Sequence, residues 1–120
     1  MRELTIAESL LAEVMTLVHD RAFTRVTEIE IVVGEATRVD PTALSRALTN
    51  LCRDTPAARA RILVLPEKIR AMCADCAHIF RAHGDETSCP RCGYTGIEVI
   101  TGRDVMLANV VGKKGRVGVS

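Results

Sequence analysis

Four of the five cysteines form two Cys-x2-Cys pairs, Cys73 with Cys76 and Cys89 with Cys92, separated by twelve residues. Each pair can direct two thiolates at one ion, and two pairs complete the tetrahedron that structural zinc prefers. The second pair favours zinc over a thioredoxin-like redox motif, which has a single pair. Because a segment of about 30 residues buries too little surface to fold unaided, zinc would supply its folding free energy. The spacing therefore predicts a zinc ribbon.

The residues around the two pairs suit such a ribbon. Ile79 and Phe80 can form a strand, and residues 83–85 can form a turn. Pro90 and Gly93 suit the tight turn that the second pair needs.

Two other segments have the apolar periodicity of amphipathic helices. Residues 4–22 place apolar side chains on one stripe, and Thr5 with Glu8 has the pattern of a capping box. A second helix begins at Asp40, an acidic N-cap followed by proline at the first helical position. Its predicted buried stripe consists of Leu44, Ala47, Leu48, Leu51 and Cys52. We therefore interpret Cys52 as a small core residue that lies apart from the zinc ribbon.

Strand-like segments alternate with these helices. Residues 26–34 alternate apolar and polar side chains, and residues 59–65, ended by Pro66, form a second apolar segment. A strand–helix–strand order predicts a crossover between parallel neighbours. Residues 97–101 are strand-like, and residues 104–111 are apolar enough to rejoin the first sheet. The sequence thus predicts an α+β fold, with two helices on a small mixed three-stranded sheet and an inserted zinc-ribbon domain.

The composition of the chain changes where the cysteines begin, since large aliphatic residues become rare and Gly, Asp, Ser and Pro gather at 84–90. We expect residues 1–66 and 103–111 to form the α/β domain and residues 67–102 to form the ribbon. Residues 112–120, rich in glycine and basic residues, are expected to be a flexible tail.

Charge and composition disfavour several classes of function. The chain has 16 Lys and Arg against 15 Asp and Glu, and only 2% of its residues are aromatic. A nucleic-acid ribbon would need a basic field or stacking platforms. Its only support is a scattered set of basic residues, Arg81, Arg91, Lys113, Lys114 and Arg116. No apolar run approaches the ~20 residues of a membrane span, and acidic residues interrupt any signal-peptide core. We expect a cytoplasmic protein without nucleic-acid or membrane partners.

The sequence carries no motif of an enzyme. It has no glycine-rich phosphate loop, no GxSxG and no HExxH, and a closed zinc site leaves no activated cysteine nucleophile. His78 and His83 flank the cysteines, either as exposed ribbon residues or as additional groups at the metal. We expect no catalytic activity.

Several short motifs follow one another in a definite order: Met-x-Glu-Leu, the helix TIAESLL, a strand ending in Val-Gly-Glu, and Val-Asp-Pro-x-Ala-Leu before the cysteine window. In this order and spacing, from residue 1 to about residue 111, the chain resembles the HypA/HybF family of hydrogenase maturation factors. The resemblance implies a nickel-binding α/β domain and a structural zinc domain. By position, the family's zinc ligands correspond to Cys73, Cys76, Cys89 and Cys92.

The resemblance also implies a function. Members of the family are cytosolic nickel metallochaperones that load nickel into [NiFe]-hydrogenase, and in some bacteria into urease. They act with a partner GTPase, HypB. A HypB-type GTPase and a hydrogenase large subunit are therefore the expected partners, and a homodimer is consistent with the resemblance.

The nickel position departs from the family pattern. Glu3 corresponds to the Glu of the family's Met-His-Glu start, but Arg2 stands at the position of the nickel-binding histidine. Arginine has no lone pair to give and places a positive charge where a dication binds. The main-chain nitrogens, Glu3 and, as an extra oxygen ligand, Asp40 remain as candidate donors, while His19 lies about four helical turns away. The alternative is a zinc-ribbon protein–protein adaptor that has lost tight nickel binding.

Overall fold

The computed structural model describes residues 2–82 and 88–114, which form two separate three-stranded sheets. The elements are α1 (Arg2–Asp20), β1 (Phe23–Gly34), a 3-10 turn (Glu35–Thr37), α2 (Pro41–Leu51), β2 (Arg61–Glu67), β3 (Arg70–Cys73), β4 (Ile79–Arg81), β5 (Ile97–Thr101) and β6 (Val105–Lys114). The sheet of order β2-β1-β6, with both helices, is called the α/β module here. The sheet of order β4-β3-β5, with the four paired cysteines, is called the cysteine module.

The sheet of the α/β module is mixed, because β1 pairs in parallel with β2 and antiparallel with β6. Both helices contribute to the core that covers one face of this sheet. The inward side chains of Ile29 and Ile31 are fully buried there, and Cys52 is 1% exposed. These observations confirm the predicted fold class, the parallel strand–helix–strand unit and the core position of Cys52. Among the described residues, neither helix is both long and apolar enough to cross a membrane.

Helix α1 begins and ends two residues earlier than the sequence predicts. Arg2 is already helical, so Thr5 is not an N-cap and the predicted capping box was wrong. Two hydrogen bonds instead connect the first turn to a distant segment, because Arg2 donates to the Thr37 carbonyl and Glu3 accepts from the Asp40 N–H. The helix ends at Asp20, and Ala22 then adopts the left-handed conformation (φ 53°).

Three strands also differ from their predicted limits. β1 begins at Phe23, three residues before the predicted start. Pro66 lies within β2 instead of ending it, which is compatible with the position of β2 at the edge of the sheet. β2 begins at Arg61, two residues after the predicted start. β6 continues through Lys114, so residues 112–114 belong to a strand although the prediction placed them in the tail. Residues 115–120 lie outside the described residues.

The cysteine module has a sheet and a small core of its own. β3 pairs antiparallel with β4 and with β5, which confirms the strands predicted at residues 79–80 and 97–101. Its buried residues are Ile69, Ala71, Cys73, Phe80, Ala82 and Cys89, none of which belongs to the buried core of the α/β module. The predicted turn at residues 83–85 lies outside the described residues.

Candidate metal centre and N-terminal site

The four cysteines of the two pairs converge on one point. Their Sγ atoms all lie within 4.8 Å of one another. The Sγ atoms of Cys73 and Cys92 are 3.6 Å apart, and those of Cys76 and Cys89 are 3.8 Å apart. A tetrahedral zinc site with Zn–S bonds of ~2.3 Å has sulfur–sulfur edges of about 3.8 Å. The donor set and its spacing therefore fit a tetrahedral metal ion such as zinc.

The two pairs are built as equivalent turns. In each turn, the N–H two residues after the first cysteine points at that cysteine's sulfur, from Asp75 to Cys73 and from Arg91 to Cys89, both at 3.4 Å. The fourth residue after the first cysteine then adopts the left-handed conformation and donates its N–H back to that cysteine's carbonyl. These residues are Ala77 (φ 61°, 3.0 Å) and Gly93 (φ 79°, 2.8 Å).

Hydrogen bonding and burial give the thiols of the second pair unequal pKa values. Burial opposes ionisation of Cys89, but the N–H groups of Cys92 and Arg91 and the neighbouring thiols outweigh it and lower the pKa of Cys89 to about 7. At Cys92, the N–H of Tyr94 favours the thiolate, but burial and the three other sulfurs raise its pKa to about 12. Four thiolates this close together repel one another unless a cation balances their charge.

The histidines near the cysteines make no additional ligand in the described part of the chain. The candidate metal group contains the four cysteines alone. The ring of His78 stacks instead on Phe80, with 5.8 Å between the ring centroids. His83 lies outside the described residues.

The start of α1 lies against the segment that joins the 3-10 turn to α2. The Arg2 guanidinium donates a hydrogen bond to the Thr37 carbonyl at 2.6 Å. The Glu3 carboxylate accepts one from the Asp40 N–H at 3.2 Å. The structure thus brings together Arg2, Glu3 and Asp40, the three residues that the resemblance and the sequence associate with nickel.

The side chains that could bind a metal at this position are the carboxylates of Glu3 and Asp40. Both offer oxygen atoms, and both already accept hydrogen bonds. The Asp40 side chain caps α2 by accepting the Thr42 N–H at 3.0 Å, as predicted. The Asp40 N–H, with the backbone N–H of Glu3 and the Arg2 charge, holds the pKa of Glu3 below its usual value. No imidazole reaches this position in the described residues, because His19 lies in the last turn of α1. Nickel prefers nitrogen donors, so the set fits it poorly.

A cavity of about 680 Å³ adjoins this position, and sequence reasoning missed it. Its walls come from α1, from the 3-10 turn and from the start of β6, which are distant in sequence. Polar side chains at helical spacing along α1, Thr5, Ser9 and Glu13, face it. That polar stripe was the available signal.

An α/β module with two helices and a second sheet built around four cysteines define the chain as a two-module protein with a candidate metal centre. A family profile described as hydrogenase/urease nickel incorporation, metallochaperone, HypA, matches residues 1–112. The chain therefore belongs to the HypA family of nickel metallochaperones that act in hydrogenase maturation.

Individual relatives agree with this assignment. The chain is 30% identical to the hydrogenase maturation factor HypA of Beijerinckia indica, over 92% of this chain and 97% of that one. It is 26% identical to that of Aquifex aeolicus, over 92% and 96%. Its fold is similar to the solution structure of the Ni metallochaperone HypA from Helicobacter pylori, with a TM-score of 0.73, 18% identity, and 94% and 98% of the two chains covered.

Proposed function

We propose that the protein is a maturation factor that delivers nickel to a [NiFe]-hydrogenase, or to urease, through transient protein contacts and without catalysis. The observation that carries this proposal is the family match over residues 1–112, which includes both modules. The proposed partners are a HypB-type GTPase and the hydrogenase large subunit, with a homodimer as the working assembly. The proposed location is the cytoplasm.

We assign zinc to the four cysteines as a structural metal. Support comes from the all-sulfur donor set and from sulfur–sulfur distances of 3.6 and 3.8 Å, which match a zinc tetrahedron. The N–H groups of Asp75 and Arg91 would stabilise the ligand charge from outside the metal. Because all four positions are filled by sulfur, this zinc would offer no open position for a substrate.

The proposed domain limits lie within three residues of the ends of the two sheets. Residues 1–66 and 103–111 would form the nickel-binding-type domain, and residues 67–102 the zinc ribbon. Support comes from the two sheets and from the separate cores of the described residues.

The mutation of choice for the nickel proposal is Arg2→His. We expect the protein as it stands to bind nickel weakly, because Arg2 offers a positive charge where the family has an imidazole. Arg2→His restores that nitrogen donor beside Glu3 and Asp40 and should tighten nickel binding by about tenfold or more. Calorimetric titration of nickel into protein of known zinc content measures this difference.

The control is Arg46→His, which adds a histidine on the exposed side of α2 and leaves Arg2 in place. It should bind nickel no more tightly than the parent. Equal nickel affinity of the parent and Arg2→His would show that the residue at this position does not control the cargo.

A second candidate function is a protein–protein adaptor of the same family that has lost tight nickel binding. The hydrogen bond from Arg2 to the Thr37 carbonyl supports it, because this bond holds a guanidinium at the proposed nickel position. Pull-down of a HypB-type GTPase with and without nickel separates the two. Binding that nickel does not change supports the adaptor, and binding that requires nickel supports delivery.

The zinc assignment has its own test. Cys73→Ser and Cys89→Ser should each lose the bound zinc, as measured by elemental analysis of purified protein. The matched control is Cys52→Ala, which removes a buried thiol of the α/β module and should retain one zinc per chain. Full zinc content in both serine variants would contradict the assignment.

A further inference from the structure

The relative orientation of the two modules is not explained by apolar packing. The buried residues of one core are absent from the other among the described residues. Two chain segments, residues 67–70 and 101–105, connect the modules. Domains that share no large apolar interface are expected to move relative to each other unless other contacts hold them.

Glu35, the last residue of the Val-Gly-Glu motif, makes such a contact from the 3-10 turn. Its Oε1 accepts a hydrogen bond at 3.1 Å from the N–H of Ile69, in the first connecting segment. Its Oε2 lies 3.9 Å from the guanidinium of Arg81 on β4. The ion pair is about half exposed and contributes little. The bond from a charged carboxylate to a backbone N–H is the stronger of the two contacts.

The neighbouring glycines let the backbones meet at the same place. A Cβ on Gly34 would lie 2.2 Å from the carbonyl carbon of Gly102, in the second connecting segment. Two hydrogen bonds join the end of β1 and the 3-10 turn to this connecting segment. One runs from the Gly34 N–H to the Asp104 carbonyl at 2.9 Å, and the other from the Ala36 N–H to the Gly102 carbonyl at 2.8 Å. No side chain fits between them.

A second carboxylate engages the second segment. Glu67 Oε1, at the end of β2, accepts the Gly102 N–H at 3.0 Å. Each connecting segment is therefore held to the α/β module by one glutamate, Glu35 on the first and Glu67 on the second. Of these two glutamates, Glu35 also contacts β4, an edge strand of the cysteine module's sheet.

We propose that Glu35 is a positioning residue that, with Gly34 packed on Gly102, fixes the orientation of the cysteine module on the α/β module. This role goes beyond nickel delivery and holds whichever metal the N-terminal site binds. The 3-10 turn that carries Glu35 also receives the hydrogen bond from Arg2. The N-terminal site and the cysteine cluster are consequently held in one fixed spatial relation.

Residual dipolar couplings of the full chain, with its metal as purified, test this proposal. In the parent protein, one alignment tensor should fit amides of both sheets. In Glu35→Ala, the amides of the cysteine module should require a separate alignment tensor, whose magnitude is about half that of the parent's common tensor. Glu35→Gln keeps an oxygen acceptor for Ile69 and should give an intermediate result. The control is Glu98→Ala, which removes an exposed carboxylate on β5 and should leave one common tensor.

Gly34→Ala provides an independent arm, because a methyl group there must separate the two backbones. It should also uncouple the tensors while metal content and the chemical shifts within the cysteine module's sheet stay as in the parent. One common tensor in Glu35→Ala would overturn the proposal. Loss of the metal or of the β3–β5 sheet in that variant would overturn it too, since Glu35 would then be needed for folding and not for orientation.

Discussion

Cys89 and Cys92 belong to one pair and face the same point, yet their pKa values shift in opposite directions. Burial works against the Cys89 thiolate, but backbone N–H groups outweigh it and bring the pKa to about 7. The N–H of Tyr94 works in favour of the Cys92 thiolate, but burial and three neighbouring sulfurs bring its pKa to about 12. At neutral pH the metal-free cluster therefore holds protons that a metal must displace.

We expect zinc affinity to increase with pH. The metal binds thiolates, so the proton on Cys92 must leave throughout the neutral range, and that on Cys89 must leave below about pH 7. Each proton released raises the apparent affinity by about tenfold per pH unit. Competition with a chromophoric chelator at several pH values measures the slope, and Cys52→Ala should reproduce it. An affinity independent of pH would contradict this account.

At the scale of elements, the N-terminus of α2 combines a structural and a chemical role in one residue. The Asp40 carboxylate accepts the Thr42 N–H, and the Asp40 N–H donates to Glu3. Asp40→Ala removes the cap and should lower the free energy of unfolding by about 1 kcal/mol. Asp40→Asn keeps a capping oxygen and should cost only a small part of that. Urea denaturation of the two variants measures the difference.

The same pair of variants separates capping from metal binding. Asp40→Asn keeps the helix but removes a carboxylate beside Glu3, so nickel binding by an Arg2→His background should weaken while stability holds. If Asp40→Asn is as unstable as Asp40→Ala, the carboxylate charge and not the hydrogen bond stabilises α2.

Patterns within one element were predictable from the sequence, and contacts between distant elements were not. The cap at Asp40 is local and was confirmed. The predicted alternation of residues 26–34 holds from Glu28 to Val33 but is interrupted before Glu28 by a register irregularity in the pairing with β6. The start of α1 depends on Arg2 meeting Thr37, 35 residues away. The contact between the two modules depends on the hydrogen bond from the Ile69 N–H to Glu35, 34 residues away. The sequence predicts that Pro66 ends a strand, because the edge position of β2 becomes visible only once the sheet is assembled.

The cysteine cluster was predictable for a different reason. The spacing of the two pairs is a local constraint on a long-range contact, because a shared metal demands that the pairs meet. The left-handed conformation at Gly93 agrees with the tight turn expected there. The equivalent conformation at Ala77 could not be predicted from the sequence, since alanine is not a residue that favours positive φ.

At the scale of the whole molecule, the two modules have different sources of stability. The α/β module has a core of aliphatic side chains from both helices and all three strands of its sheet. Among its described residues, the cysteine module buries six, two of which are cysteines of the cluster. Such a core is too small to offset the conformational entropy of its own chain, and the zinc proposed for the four cysteines would supply the remainder.

Chelation of the metal should therefore unfold one module and spare the other. With EDTA in excess, amide resonances of β3, β4 and β5 should lose their dispersion, whereas those of β1, β2 and β6 should persist in a two-dimensional NMR spectrum. Added zinc should restore the first set and added magnesium should not, because magnesium prefers oxygen ligands. Loss of dispersion in all six strands together would mean that the contacts of Glu35 and Glu67 between the modules make their folding cooperative. The α/β module would then depend on the metal even though its own core contains none of the ligands.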